Sequence, residues 1–182
     1  MALSSTIHHF NIELADIDRG VYESLELRVA RHPSEAEDYL LTRVLAYCLE
    51  YTEGISFSAG LSEPNTPPIA VRDLTGALTV WIDIGAPDSA RLHKASKATP
   101  RVVVYTHKAP ALLLKSLAGE KIHRAEKLEL YAIDRPLLSA LATHLDRRTA
   151  FALTVQDGAL MIAFGDTSLT GTVERLLLAA TG

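Results

Sequence analysis

The sequence predicts an α/β protein, with a mixed central β-sheet flanked by helices and an additional antiparallel sheet built from the N- and C-terminal strands. Three patterns support this class: alternating apolar residues near both ends, a strand–helix rhythm in the middle, and one strongly amphipathic helix before that rhythm begins. We expect a single domain over 1–182, in which 31–148 form the α/β core and 1–30 with 149–182 form the antiparallel extension.

The N-terminal part predicts a β-hairpin followed by a helix. The stretches "LSSTIHHFNIEL" and "YESLELRVA" are joined by the turn "ADIDRG", which favours antiparallel pairing. A helix is then predicted over about 35 to 52, with Ser34 as N-cap and Glu37 completing a capping box. Its apolar face carries Leu41, Val44, Leu45 and Cys48, and we interpret Cys48 as a core residue.

The middle of the chain predicts a hairpin and then parallel strands. After the short strand and proline-rich loop of "ISFSAGLSEPNTPP", "IAVRDLTGALTVWIDIG" turns around Thr75-Gly76. Asp88 is expected to cap the next helix. The stretches "RVVVYTH", "APALLLKSLAG", "KLELYAI" and "RPLLSALATHL" then alternate between strand and helix, a rhythm typical of crossover connections between parallel strands. The end, "TAFALTV", "ALMIAFG" and "SLTGTVERLLL", predicts a three-stranded antiparallel meander.

Composition excludes several classes of protein. Hydrophobic residues make up 48% and charged residues 22% of the 182 residues, as in an ordinary globular protein. The net charge of −4 provides no global attraction to nucleic acid or to anionic membranes. Cys48 is the single cysteine, the start lacks the features of a signal peptide, and no apolar run is long enough for a bilayer. We therefore expect a cytoplasmic protein without a membrane partner.

One acidic residue stands where packing alone predicts an apolar one. Asp83 lies among Trp81, Ile82 and Ile84, and a buried carboxylate must be paired, hydrogen-bonded or bound to a cation. If the hairpin turns at Gly76, we expect Asp73 to lie near Asp83. Such oxygen ligands suit Mg²⁺ or Mn²⁺.

Two residues on helices are predicted to complete this site. Glu35, in the first helical turn, would supply a further carboxylate, and Lys94 would reach back from the helix that follows Asp88. A metal ion held in this way orients phosphate oxygens and activates water, and a lysine positions that water.

The motifs "ARHPSE", "RDLTG", "WIDIGAPD" with "RLHKA", and "VQDG" resemble the YaeQ family over almost the whole chain. The resemblance implies a variant of the PD-(D/E)XK nuclease fold, which is restriction-endonuclease-like. It implies Glu35, Asp73 and Asp83 as the acidic residues. Gly85 occupies the position at which that superfamily usually keeps a lysine, so Lys94 is the candidate for a relocated lysine.

Three functions follow from these observations. The first is a metal-dependent phosphodiesterase or nuclease, with Glu35, Asp73 and Asp83 as metal ligands and Lys94 as a catalytic residue. The second is a catalytically inactive module of the same fold that binds nucleic acid or protein, and the third is an enzyme acting on a small phosphorylated molecule. Arg31, His32 and Gln156 are candidate substrate contacts.

Several of these candidate residues also have a simpler, structural explanation. An acid in a first helical turn, such as Glu35, is favoured by the helix dipole alone. Asp73 fits an ordinary turn aspartate, and Gln156 precedes an Asp-Gly pair that hairpin turns favour on backbone grounds.

Overall fold

The computed structural model describes residues 4–58 and 65–178. The strands are β1 (Thr6–Asp16), β2 (Val21–Arg31), β3 (Ile55–Phe57), β4 (Ile69–Arg72), β5 (Leu78–Ile84), β6 (Arg101–Thr106), β7 (Glu129–Ile133), β8 (Arg148–Gln156), β9 (Ala159–Phe164) and β10 (Thr167–Leu176). The α-helices are α1 (Glu37–Leu49), α2 (Ser89–Ala98), α3 (Pro110–Leu117) and α4 (Arg135–Ala142), and a 3₁₀ helix covers Ala125–Lys127. In the described chain these elements group into two compact units.

The first unit comprises residues 4–41 and 133–173. Its strands follow the order β2-β1-β8-β9-β10. The predicted N-terminal hairpin and C-terminal meander are both confirmed as antiparallel. The expectation of a purely antiparallel extension is wrong at one point, because β1 and β8 pair in parallel, with Ile12 opposite Phe151. Parallel neighbours need a long crossover connection, and here more than a hundred residues intervene between the two strands.

The second unit comprises residues 42–58, 65–132 and 174–178 of the described chain. Its strands follow the order β7-β6-β5-β4-β3, in which β3, β4 and β5 are antiparallel and β5, β6 and β7 are parallel. The strand–helix rhythm had predicted the parallel part. Its hydrophobic core includes Trp81, Leu92, Val104, Leu113 and Leu130. Helices α2 and α3 pack against the sheet, because each helix buries one stripe of apolar residues in this core.

Helix α1 begins later than the sequence predicts. The Glu35 amide donates to the His32 carbonyl, so a turn precedes the helix, and Ser34 bonds to the His32 side chain instead of capping the helix. Cys48 is fully buried, which confirms its assignment to the core. Within the described part of the chain, no helix is long and apolar enough to cross a membrane.

Candidate functional site

Asp83 is buried near the end of β5, and its carboxylate already has an internal cation. Trp81, two residues earlier and therefore on the same strand face, donates its indole N–H to Asp83 Oδ2 at 3.1 Å. Arg91, in the first turns of α2, donates from Nε to the same oxygen at 2.7 Å. Its guanidinium carbon lies 5.2 Å from the Trp81 ring centroid, within cation–π range. The buried acid is thus compensated by an arginine.

Asp73 is an exposed turn residue. Its Oδ1 accepts hydrogen bonds from the Thr75 hydroxyl and from the Thr75 and Ala77 backbone amides. The Thr75 hydroxyl, followed by the Ala77 amide, lowers the pKa of Asp73 below its ordinary value. Gly76 completes the turn with a φ of 86°, a conformation that glycine adopts readily. The interpretation of Asp73 as a turn aspartate is confirmed.

The strand register separates the two aspartates. In the β4–β5 hairpin Arg72 lies opposite Leu78, whereas Ile69 lies opposite Ile82. Asp73 is therefore at the turn, and Asp83 is at the far end of β5, about 17 Å along a strand that rises about 3.4 Å per residue. The expectation that the hairpin brings them together is wrong, because an antiparallel hairpin pairs the residue after its first strand with the start of its second. Continued by one residue, the register places Pro68 opposite Asp83.

Lys94 contacts a different partner from the one predicted. Its ammonium donates to the Asn65 side-chain oxygen, and the group that reaches Asp83 is Arg91, one turn earlier on α2. Arg91 also donates to the Thr66 carbonyl at 3.0 Å. Asn65 and Thr66 were not predicted as site residues from the sequence. The signal that could have found them is the hairpin register, which places the residues just before β4 opposite Asp83. A role for Lys94 in water positioning stays a prediction.

Glu35, in the first unit, organises the loop that leads into α1. Its Oε2 accepts the His32 amide at 3.2 Å, and its backbone carbonyl accepts Arg31 Nε at 3.0 Å. The side chain is 5% exposed. Glu35 therefore holds the candidate substrate contacts Arg31 and His32 in place.

Arg31 and His32 open onto a cavity of about 410 Å³ in the same unit. Its lining combines basic, acidic and small groups: Thr6, His8, Arg31, His32, Pro33, Glu37, Leu145, Asp146 and Arg147. We name it the Arg31–Arg147 pocket. In the described residues no carboxylate lies within ion-pair distance of either arginine.

The hydrogen-bond partners of the pocket histidines determine which ring nitrogen carries a proton. His8 Nδ1 lies 2.9 Å from the Asp146 carbonyl, which can only accept, so this nitrogen is a donor. His32 Nδ1 accepts the Ser34 amide at 3.1 Å, so its proton is on Nε2. The pocket lining thus includes one imidazole N–H and two guanidinium groups that are not neutralised by an ion pair.

Gln156 lies at another place in the first unit. It ends β8 and pairs with Ala159 across a turn in which Asp157 and Gly158 have φ values of 52° and 74°, as hairpin turns of this length require. The carboxylate of Asp18 accepts the amides of both turn residues. A second cavity of about 430 Å³ includes Gln156 in its lining. The "VQDG" motif therefore has a structural explanation in the turn.

The acidic residues that the sequence predicts as ligands do not form a site that fits Mg²⁺ or Mn²⁺. Asp73 is distant from Asp83 along β5, and Asp83 already bonds to a cation. Across residues 4–58 and 65–178, no three acidic, histidine or cysteine side chains group closely enough to hold a metal ion.

Fold and site together define a mixed α/β protein with a two-arginine pocket in one unit and a buried aspartate–arginine pair in the other. Residues 1–173 match the family model described as YaeQ protein. The chain belongs to the YaeQ family, as its motifs predicted.

Relatives in several bacteria match over nearly the full length. The protein called "Uncharacterized protein YaeQ" in Escherichia coli (strain K12) is 28% identical over 164 residues, which cover 90% of this chain and 91% of that protein. The Salmonella typhi protein of the same name is 29% identical with the same coverage.

Two crystal structures show the same fold. The YaeQ protein from Xanthomonas axonopodis pv. citri superimposes with a TM-score of 0.82 at 29% identity, covering 94% of this chain and 98% of that one. The Pseudomonas syringae YaeQ protein gives a TM-score of 0.84 at 28% identity, covering 95% and 96%.

Proposed function

We propose that this protein is a non-catalytic nucleic-acid-binding module that holds a nucleotide unit in the Arg31–Arg147 pocket. The observation that carries the proposal is the pairing of an open cavity with two arginines that form no ion pair in the described residues. A guanidinium is planar and presents several N–H groups in a fork that matches phosphate oxygens.

Arg31 is oriented before any ligand arrives. Its Nε is bound to the Glu35 carbonyl, which leaves the two terminal NH₂ groups for a ligand. His32 Nε2–H adds a neutral donor, so phosphate oxygens would meet three side chains of matching chemistry. Because the loop already holds Arg31 and His32, less conformational entropy is lost on binding.

The acidic members of the lining favour a nucleotide over a simple anion. Glu37 and Asp146 also face the cavity and would repel an isolated phosphate. They can accept hydrogen bonds from sugar hydroxyls or base amino groups. A nucleotide carries both kinds of group, so its phosphate suits the arginines and its donors suit the carboxylates.

A metal-dependent phosphodiesterase is the second candidate, and the buried Asp83 carboxylate at the end of β5 favours it. In this reading Asp83 would bind the metal ion and Lys94 would position the attacking water, while Asp73 stays a turn residue. Arg91 argues against it, because a metal ion would have to displace a cation that bonds to Asp83 at 2.7 Å.

Binding is tested with fluorescein-labelled single-stranded DNA and RNA of mixed sequence, by fluorescence anisotropy at low salt. Arg147→Gln should weaken binding roughly tenfold, because hydrogen bonds to charged groups typically contribute about 1.5–3 kcal/mol. Arg148→Gln is the matched control, since it removes the same charge from the neighbouring, exposed residue, which is not part of the lining. Equal losses in both variants, or no binding by the wild-type protein, would overturn the proposal.

The same samples separate the two candidates when Mn²⁺ is added. The binding module should leave the labelled strands intact on a denaturing gel. Cleavage by the wild-type protein that disappears in Asp83→Asn would instead support the phosphodiesterase.

A further inference from the structure

Five basic side chains in the second unit form a group that includes none of the candidate site residues discussed so far. His93 and Lys97 lie one turn apart on α2, and therefore on one face of that helix. Lys121, His123 and Arg124 follow α3, just before the 3₁₀ helix. The rings of His93 and His123 meet edge to face with centroids 6.4 Å apart. We name these five residues the α2 basic cluster.

Each histidine in this cluster has one ring nitrogen that accepts a hydrogen bond within the protein, so the other ring nitrogen can donate to a ligand. His93 Nδ1 accepts the backbone amide of His123 at 3.0 Å. His123 Nε2 accepts from Arg124 Nε at 3.0 Å, and arginine can only donate. The remaining nitrogen of each neutral ring must therefore carry hydrogen: Nε2 in His93 and Nδ1 in His123.

This protonation pattern suits an anion and not a metal ion. A metal ligand needs a ring nitrogen with a free lone pair, and in each of these rings that lone pair is already used. The neighbouring cations would also repel a metal. What the two rings still offer is N–H donors, together with the ammonium groups of Lys97 and Lys121.

The positive charge of the cluster is not neutralised within the described residues. Glu120 and Glu126 are neighbours in sequence, but across 4–58 and 65–178 no carboxylate lies within ion-pair distance of Lys97, Lys121 or Arg124. Partial burial lowers the pKa of His93, and so do the charges of Lys97 and Lys121. The local potential is therefore positive in a chain whose net charge is −4.

Arg124 has a backbone conformation that few arginines adopt. Its φ is 50° and its ψ is 44°, in the left-handed region. Non-glycine residues there carry local strain and occur at functional sites more often than elsewhere. The conformation here sets the guanidinium beside His123.

We infer that the α2 basic cluster binds phosphate groups of a nucleic-acid backbone, at a second contact distinct from the Arg31–Arg147 pocket. Lys97, Lys121 and Arg124 are exposed, and several exposed cations without acidic partners match the repeating charge of a phosphodiester chain. The histidine N–H groups add neutral donors to phosphate oxygens. This inference goes beyond the proposed function, because it concerns other residues and predicts its own contribution to binding.

The test compares two double variants in the anisotropy titration with single-stranded DNA, repeated over a range of salt concentrations. Lys121→Gln with Arg124→Gln should weaken binding at least tenfold and reduce the slope of log affinity against log salt by about 1.4, the value for two lost phosphate contacts on a single strand. Arg28→Gln with Lys108→Gln removes the same charge from two exposed residues outside the cluster and should leave that slope nearly unchanged. Equal slopes for the two double variants would overturn the inference.

A second readout locates the contact directly. Addition of the DNA to the full-length protein should shift the imidazole NMR signals of His93 and His123 in a saturable manner, and the Lys121→Gln, Arg124→Gln variant should lose those shifts. Saturable shifts with inorganic phosphate but none with DNA would overturn the assignment to a backbone. If Arg147→Gln abolishes binding while the histidine signals never move, the cluster inference fails and the pocket proposal stands.

Discussion

Two arginines at strand ends, one in each unit, show two different uses of a positive charge. Arg101, at the start of β6, bonds to Glu129 at 2.6 and 3.0 Å and to Glu50 at 2.8 and 3.3 Å. Arg31, at the end of β2, bonds to the Glu35 backbone carbonyl and has no carboxylate within ion-pair distance in the described residues. One guanidinium is saturated by the protein, and the other keeps most of its donors for a ligand.

The surroundings of Arg101 are those of a structural network. Tyr105 donates to Glu50 at 2.7 Å, and the rings of Tyr105 and Tyr131 stack with centroids 5.1 Å apart. The hydrogen bonds that Arg101 donates to Glu129, and then to Glu50, raise the pKa of Arg101 above its ordinary value. The difference teaches that an arginine points to ligand binding only when the protein itself does not supply the matching acid.

The largest expected effect is loss of stability when the saturated arginine is removed. Arg101→Ala would leave the buried Glu50 without its cation and would leave the half-buried Glu129 with Arg175, 3.9 Å away. We expect the free energy of unfolding to fall by about 3–4 kcal/mol. Urea denaturation followed by circular dichroism measures the change. Arg28→Ala is the control, because Arg28 is exposed and has no ion pair in the described part of the chain. An equal loss in both variants would remove the contrast between the two kinds of arginine.

A smaller loss is expected for the pair at Asp83. Arg91→Ala removes the cation from a buried carboxylate that keeps the Trp81 N–H, so we expect a loss of about 2–3 kcal/mol in unfolding free energy. Lys94→Ala, on the same helix but exposed, should change stability far less. A melting temperature that Mg²⁺ raises in the wild-type protein but not in Asp83→Asn would show that Asp83 is available to a metal despite Arg91.

The tyrosine in the saturated network predicts a loss of stability in alkali. Burial, and then the Glu50 charge, raise the pKa of Tyr105 well above its ordinary value of 10.0. Its contribution to stability is therefore fully present below that value and is lost as the pH rises through the folded-state pKa. Urea denaturation between about pH 9 and 11 should show a shallower decline for Tyr105→Phe. Tyr22→Phe, which changes an exposed ring, should keep the wild-type slope.

The smallest effect is expected at the exposed turn. Asp73→Ala removes three hydrogen bonds that hold the β4–β5 turn and should lower the melting temperature slightly. Because the folded-state pKa of Asp73 is lowered, this contribution is present above the ordinary value of 3.8 and is lost as the pH falls through the folded-state pKa. The wild type and Asp73→Asn should therefore converge in melting temperature in acid. A loss of metal-dependent stabilisation in Asp73→Asn would instead identify a metal ligand.

The sequence by itself determined most of the elements, because their signals are local. The alternation in β1 and β2, the cap at Asp88, and the Asp-Gly turn after Gln156 each depend on neighbours within a few residues. The strand–helix rhythm from Arg101 onward also determined the parallel pairing of β5, β6 and β7. Buried Asp83 was correctly marked as a residue that needs a partner, because the cost of an uncompensated buried charge does not depend on the fold.

The tertiary structure alone decided which partner each charge found. Asp83 bonds to Arg91 and not to Lys94, and Arg91 also bonds to the Thr66 carbonyl. These contacts form because the loop before β4 and the first turns of α2 come together only in the folded chain. The register of one hairpin decided that Asp73 lies far from Asp83. Among the residues that the structure describes, folding likewise left Arg31 without a carboxylate in ion-pair distance, since the Glu35 carboxylate accepts the His32 amide. Such pairings depend on distances of a few ångströms between segments remote in sequence, and local periodicity carries no information about them.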